Sequence, residues 1–332
     1  TIVPYDTEGY LVDAARVVGE LSRGSVAAAV GPLTSEAAAI ASARVHGGDL
    51  PLIIPAATDA GITRLSETSF QLSPNIELEA VRMADYAVDV LGASTAVVMA
   101  PSGSEEMRMA QRFTGQFETR GGRVVAVAFY RARDNDFGQY IRDIKGEIIG
   151  AVPDSSFWLD ERGDTIENDG LAASVDVIYL PGDPEQIRML LPQIRFYNLR
   201  GQYLGSDGWG DEEIFRLGDD VTQQAVFPSP FLPTEPTEES VRMGAAYDAR
   251  YGTQPDRLAR LGYDAVRLIT RAVDHGGKSR EQIASALKDV QGYPGASGII
   301  SFGQNRENVH MPLYRIVDGA PVPIPANPSE PR

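Results

Sequence analysis

The segment from Gly31 to Thr63, GPLTSEAAAIASARVHGGDLPLIIPAATDAGIT, carries the same punctuation twice: proline among small and hydroxyl residues, bordered by an apolar run and a helix-compatible stretch. Ser35 stands where it can cap a helix over 35–46, and Thr58 stands at the start of the next helical stretch. Unpaired backbone N–H groups and hydroxyls at two neighbouring helix starts converge on a small anion such as a carboxylate. Either residue alone reads equally well as an ordinary cap, and the repetition is what points to an anion. A third polar position, Asp207 in GSDG, reads from composition alone as a turn former.

Other chemistries find little material. There is no cysteine, hence no disulfide, thiolate nucleophile or cysteine-based zinc site. The three histidines, His46, His275 and His310, are scattered singly and read as surface or capping residues. No G-x-S-x-G elbow and no clustered metal ligands occur, so neither a catalytic residue nor a metal nor a cofactor is expected. The balance of 30 basic against 46 acidic residues gives a net charge of −16, which repels nucleic acid and anionic membrane surfaces. The longest apolar runs, such as AVVMA, are strand-sized and far short of a membrane span.

The elements that must position these residues alternate. Strand-like runs fall at 26–30, 50–54, 95–99, 123–130, 175–180, 202–205, 222–227 and 297–302, with amphipathic stretches over 11–24, 77–91, 104–119, 137–149, 184–198, 237–251, 257–274 and 279–290. Continuous apolar strands separated by helices predict repeated βαβ units and mostly parallel α/β sheets, and 332 residues suit two lobes. In such sheets ligands sit outside the carboxyl ends of the strands, where both punctuated turns lie. The acidic excursion over 152–174 reads as a disordered or partly ordered excursion ahead of a binding element, the proline-rich 228–240 as a crossing between lobes, and the tail GAPVPIPANPSEPR as extended chain along the surface.

GPLTS, then IIPAATD, NDF at 135–137, YGTQP with GYDAV at 251–266, and GASGIISF at 295–302 together resemble the type I periplasmic binding proteins, with the branched-chain amino-acid receptors the nearest subgroup. The stretch 187–218 also resembles the binding-protein-like domain of the penicillin-binding-protein activator lipoproteins. The resemblance implies two Rossmann-like lobes joined by three crossings, near 73–75, 228–233 and 310–313, with lobe I over 1–74 plus 234–308 and lobe II over 75–233 plus 309–332. It implies that Ser35, Ala56 and Thr58 hold a ligand carboxylate, and that Asp207, followed by Gly208, holds an ammonium.

Two cleft tyrosines of the receptors are replaced here, by Ser104 or Glu105 in PSGSEEMRM and by Asp183 in PGDPE. These changes suit a polar or cationic ligand, or a pocket that has lost its ligand, and Trp209 either supplies an apolar wall or belongs to the lobe II core. The family's first β-α unit precedes the strand that TIVPYDTEG resembles. An interrupted lobe I sheet is therefore expected, and any lipid anchor or signal would lie on residues before Thr1. The functional expectation is a periplasmic or cell-surface binding protein that captures an amino-acid-like solute in an interlobe cleft for an ABC permease. The alternative is an activator-type domain acting on a cell-wall synthase.

Overall fold

The computed structural model describes residues 1–149, 157–159, 165–167, 171–222, 224–232 and 236–325. The chain divides into two compact units, one of residues 1–76 with 230–310 and the other of residues 77–229 with 311–332. It begins in unit 1 with α1 (Leu11–Arg23), β1 (Ala29–Val30), α2 (Ser35–Arg44), β2 (Leu52–Ile54), a 3-10 turn at Ile62–Leu65 and β3 (Ser69–Gln71). Unit 2 follows with α3 (Ile76–Asp89), β4 (Thr95–Pro101), α4 (Ser104–Thr119), β5 (Arg123–Tyr130), α5 (Gly138–Ile149), β6 (Phe157–Leu159) and β7 (Thr165–Glu167). It continues through β8 (Ala173–Leu180), α6 (Pro184–Phe196), β9 (Leu199–Gly205), a 3-10 turn at Asp207–Gly210, α7 (Glu212–Phe215), α8 (Asp219–Thr222) and β10 (Val226–Pro228). The chain returns to unit 1 for α9 (Glu238–Tyr251), α10 (Arg257–Asp274), α11 (Arg280–Lys288), β11 (Tyr293–Pro294) and β12 (Ile299–Ile300), and ends in unit 2 with β13 (Leu313–Val317) and β14 (Ala320–Ile324).

Unit 2 is built on a seven-stranded sheet ordered β14-β13-β10-β9-β8-β4-β5. Strands β10, β9, β8, β4 and β5 run parallel, and β13 and β14 add an antiparallel edge. The parallel strands read as unbroken apolar runs because helices cover both faces; Ala96 through Ala100 of β4 are all fully buried. The helices present the expected stripes, with Ile187, Leu190, Leu191 and Ile194 inward on α6.

Unit 1 carries a three-stranded parallel sheet, β1-β2-β3, beside the small β11-β12 hairpin. One apolar cluster joins β2 to α1 and α2 through Val18, Ala38, Ala41, Leu52 and Ile54. Another joins Phe70 and Leu72 to Leu261, Ala265, Leu268 and Ala272, whose spacing of four, three and four residues is the buried stripe of α10. Residues 1–10 form no strand, so the extended TIVPY segment stays outside the sheet, with Ile2, Val3 and Tyr5 exposed.

Several strands differ from the sequence expectation. Residues 26–28 and 50–51 precede their strands rather than belonging to them, and the run 222–227 splits between α8 and β10. β3, SFQ, was not foreseen: it is fully buried yet polar at both ends, so it shows no apolar run. The tail is an edge strand as far as Ile324, formed by a two-residue hairpin in which Asp318 and Gly319 both take positive φ. That is the Asp-Gly hairpin signal, and Pro321 and Pro323 are tolerated because β14 lies at the edge. Within the 152–174 excursion, β6 and β7 pair as an antiparallel hairpin; most of its remaining residues lie outside the described set.

Two polar clamps hold the strand ends. In unit 1 the Arg306 guanidinium, nearly buried, donates to the carbonyls of Ser69, Thr63 and Ser66 and to Glu67. In unit 2 one oxygen of Asp176 accepts from the backbone N–H and hydroxyl of both Ser94 and Thr95, all at 2.9 Å. The N–H bond from Ser94 leads the causes that hold the Asp176 carboxyl down at about 2.

Arg306→Ala should therefore destabilise the protein by about 2–4 kcal/mol, since it strands buried carbonyls. Arg306→Lys should recover less than half of that, because an ammonium lacks the planar fork. Chemical-denaturation midpoints measure both. Asp176 titrates below the ordinary carboxylate pKa of about 3.9, so its contribution is present above pH ~4 and is lost as pH falls towards ~2. A stability profile of Asp176→Asn should lie below wild type at pH 7 and converge with it across that window.

Candidate ligand-binding site

In unit 1 the turns after β1 and β2 are brought together by parallel pairing, Ala29 opposite Leu52 and Val30 opposite Ile53. Thr34, not Ser35, is the N-cap of α2, its hydroxyl accepting from the Ala37 N–H. Ser35 is the first helical residue, which frees its side chain for another task. Its Oγ accepts from the backbone N–H of Thr58 at 3.3 Å and of Asp59 at 3.2 Å. With two donors pointing at the oxygen, the hydroxyl hydrogen must be directed away from them, ready to donate to an acceptor.

Thr58 does not begin a helix. The next helical element is the 3-10 turn at Ile62, entered through Gly61 at φ +84°. The pair of helix starts expected from the sequence is thus one helix start and one loop, because the glycine lets the chain turn before it coils. That loop is fixed from behind by Glu307, which is nearly buried and accepts from the Gly61 N–H, the Thr63 hydroxyl and the Asn75 amide. Ala56, Thr58 and Ser35 are all half-buried.

In unit 2 the turns after β8 and β9 are packed against each other. A side chain at Gly208 would place its Cβ 2.3 Å from the Gly182 carbonyl oxygen, so only glycine fits. Ser206 Oγ accepts from the Gly182 N–H at 3.3 Å, a second tie between the same turns. Asp207, half-buried, accepts from the Ser229 hydroxyl, while its own N–H donates to Glu79 at 2.9 Å. Its carboxylate is therefore held in one direction rather than free to swing.

Trp209 belongs to the core of unit 2 and not to a ligand wall. It is fully buried, its indole N–H donates to the Leu180 carbonyl at 2.9 Å, and its ring fills the space a Cβ at Gly205 would need. Asp183 occupies the N-cap position of α6 without capping it and is exposed. Glu105 is exposed in the first turn of α4, and Ser104 opens that helix with a side chain outside the described residues. Sequence reading missed Tyr130, which ends β5 fully buried beside the Asp183 turn. Burial, then Glu106 and Asp183, push its hydroxyl pKa well above the usual tyrosine value.

A family model described as periplasmic binding protein matches residues 1–320. The chain belongs to that family. Its members are binding proteins rather than enzymes. Among solved structures, a putative branched-chain amino acid ABC transporter protein from Rhodospirillum rubrum aligns with a TM-score of 0.76 at 21% identity, over 98% of this chain and 87% of that one. The branched-chain amino acid transporter substrate-binding protein of Streptococcus pneumoniae, in complex with isoleucine, aligns with a TM-score of 0.59 at 24% identity, over 97% and 85%. A solute-binding protein from Rhodopseudomonas palustris, in complex with 3,4-dihydroxybenzoic acid, aligns with a TM-score of 0.63 at 17% identity, over 98% and 85%. No curated protein is significantly similar in sequence.

Other family-like motifs turn out to be scaffolding. Asp264 of GYDAV is fully buried and accepts from the N–H groups of Ala296 and Ser297 and from the Ser297 hydroxyl, pinning the GASG turn. Burial raises its pKa despite these bonds. His46 and His275 each place Nδ1 against a backbone carbonyl. Among the described residues, no group of three or more His, Asp or Glu could hold a metal ion, and no helix is long and apolar enough to cross a membrane.

Gly208→Ala is expected to push the 206–209 turn off Gly182, at a cost of about 1–3 kcal/mol for an overpacked contact. The ordered Ser229 to Asp207 bond should be lost with it. Thermal unfolding and the chemical shift of the Asp207 amide measure the two effects; an unperturbed amide would show the turns to be less tightly coupled than the geometry requires.

Proposed function

We propose that the chain is a solute-binding protein that captures an amino acid, or a close relative, and passes it to an ABC permease on the outer side of the cytoplasmic membrane. The observation that carries this reading is the Ser35 hydroxyl, which accepts from two backbone N–H groups beyond a parallel strand end and so keeps its own hydrogen for another acceptor. Ser35, the Ala56 N–H and the Thr58 hydroxyl then receive the solute carboxylate. Isoleucine and 3,4-dihydroxybenzoic acid, the ligands named for two of the similar structures, share a carboxylate and differ in having an amine. Asp207 is accordingly the group that selects an amine, with Gly208 admitting the close approach of its turn. A charge-assisted contact of this kind is stronger than a neutral one.

Mass spectrometry of small molecules released from gently purified, then denatured, protein identifies the solute class. A thermal-shift panel of amino acids follows. Binding to the folded state alone stabilises by about 2.7 kcal/mol at a hundredfold excess over the dissociation constant. Asp207→Ala should abolish most of the shift, by leaving the ammonium unpaired at a cost of about 3–5 kcal/mol. Thr58→Ala should cost about 0.5–1.5 kcal/mol, the net value of one hydrogen bond. If no small carboxylic or amino acid produced a shift, the solute-binding reading would give way to an interaction domain of the cell-wall-activator type.

A further inference from the structure

The polar groups beside the Asp183 turn bear on which amino acid unit 2 selects. Gln186 on α6 is only 8% exposed. Its side-chain nitrogen donates to the Ala132 carbonyl at 3.1 Å, and the flipped amide would set oxygen against oxygen. The orientation of the amide is therefore decided, and its Oε1 has no hydrogen-bond partner among the described residues. It lies 3.5 Å from the point where a Cβ on Gly182 would sit, and the Tyr130 hydroxyl lies 3.6 Å from the same point. The absence of a side chain at Gly182 keeps this niche open.

What surrounds the niche is anionic. Asp183 follows Gly182 directly, exposed and not spent on capping α6. Glu106, in the first turn of α4, folds back over Gly103, where a Cβ would meet its carboxylate oxygen at 2.6 Å. Burial, then Glu106 and Asp183, push the Tyr130 hydroxyl pKa up, so its proton stays on. Arg188 pairs with Glu213, and Arg131 and Arg133 are exposed on the loop after β5. The niche is thus bordered by an acceptor unmatched among the described residues, the Tyr130 hydroxyl and Ile187 Cγ1 at 3.7 Å, with the Asp183 carboxylate on the next residue and Glu106 near enough to act on Tyr130. A buried acceptor without a donor is costly, and a carboxylate pair facing one ligand favours a positive one.

We propose that the solute carries a second cationic nitrogen, an ammonium or guanidinium as in a basic amino acid, received by Asp183, Glu106 and Gln186 Oε1. The proposal rests on the solute-binding reading above and specifies its ligand. The net charge of −16 also favours the approach of a cation.

Calorimetric titration of the intact protein with arginine, lysine, ornithine, leucine and glutamate, at fixed ionic strength, provides the test. The basic members should bind at least about tenfold more tightly than leucine, as expected for charge-assisted hydrogen bonds, and glutamate more weakly still. Asp183→Asn and Glu106→Gln, which keep size and shape, should each weaken arginine binding about tenfold and narrow its advantage over leucine. Gln186→Leu should weaken arginine binding as well. Leucine or glutamate binding as tightly as arginine would overturn the proposal and leave the solute-binding reading intact, as would arginine binding indifferent to both carboxylate variants. Failure of every amino acid to bind would instead remove the reading on which the proposal rests.

Discussion

Parallel strand pairing is the constraint on which the rest of this structure depends. Once Ala29 and Val30 pair with Leu52 and Ile53 in parallel, the residues following both strands must emerge at the same end of the sheet. Loops separated by more than twenty residues in the chain then become neighbours, and Ser35 can take hydrogen bonds from Thr58 and Asp59. The same rule acts in unit 2, where β4 pairs with β8 and β8 with β9, so that the turns beginning at Gly182 and Ser206 meet. Ligand groups collect at carboxyl strand ends because only there do loops lie open beside one another.

Each turn is held from behind by polar groups that are themselves buried. Glu307 fixes the loop after Thr58, Asp264 fixes the 295–298 turn, and Glu79 with Ser229 fixes Asp207. Buried carboxylates of this kind are costly unless fully hydrogen-bonded, and Glu307 and Asp264 each accept three donors. The benefit is orientation. A hydroxyl or carboxylate whose direction is set before the ligand arrives loses less entropy on binding.

The two units divide the chemistry differently. The turns of unit 1 set the Ser35 hydroxyl against the backbone N–H groups of Thr58 and Asp59. The turns of unit 2 present Asp207, Asp183, Glu105 and Glu106, an acidic surface.

Helices were legible in the sequence because a 3.6-residue apolar period leaves a visible stripe: the span read for α4 and that for α10 coincide with the helices. The long parallel strands were legible as unbroken apolar runs. β3 was not, since a strand buried beside a clamp such as Arg306 can be polar, and β14 was masked by its prolines although VDGA announced the hairpin. Ser35 and Thr58 stood out through the repeated proline-containing turn, whereas Asp207 read from composition only as a turn former and was singled out by the family resemblance. What those side chains do was decided by tertiary structure. Thr34 rather than Ser35 took the cap, Gly61 turned the chain before Thr58 could start a helix, and Trp209 went to the core because Gly205 left room for its ring. The roles of Tyr130, Gln186 and Glu307 were likewise invisible, because their partners lie up to 246 residues away and no local period encodes such a distance.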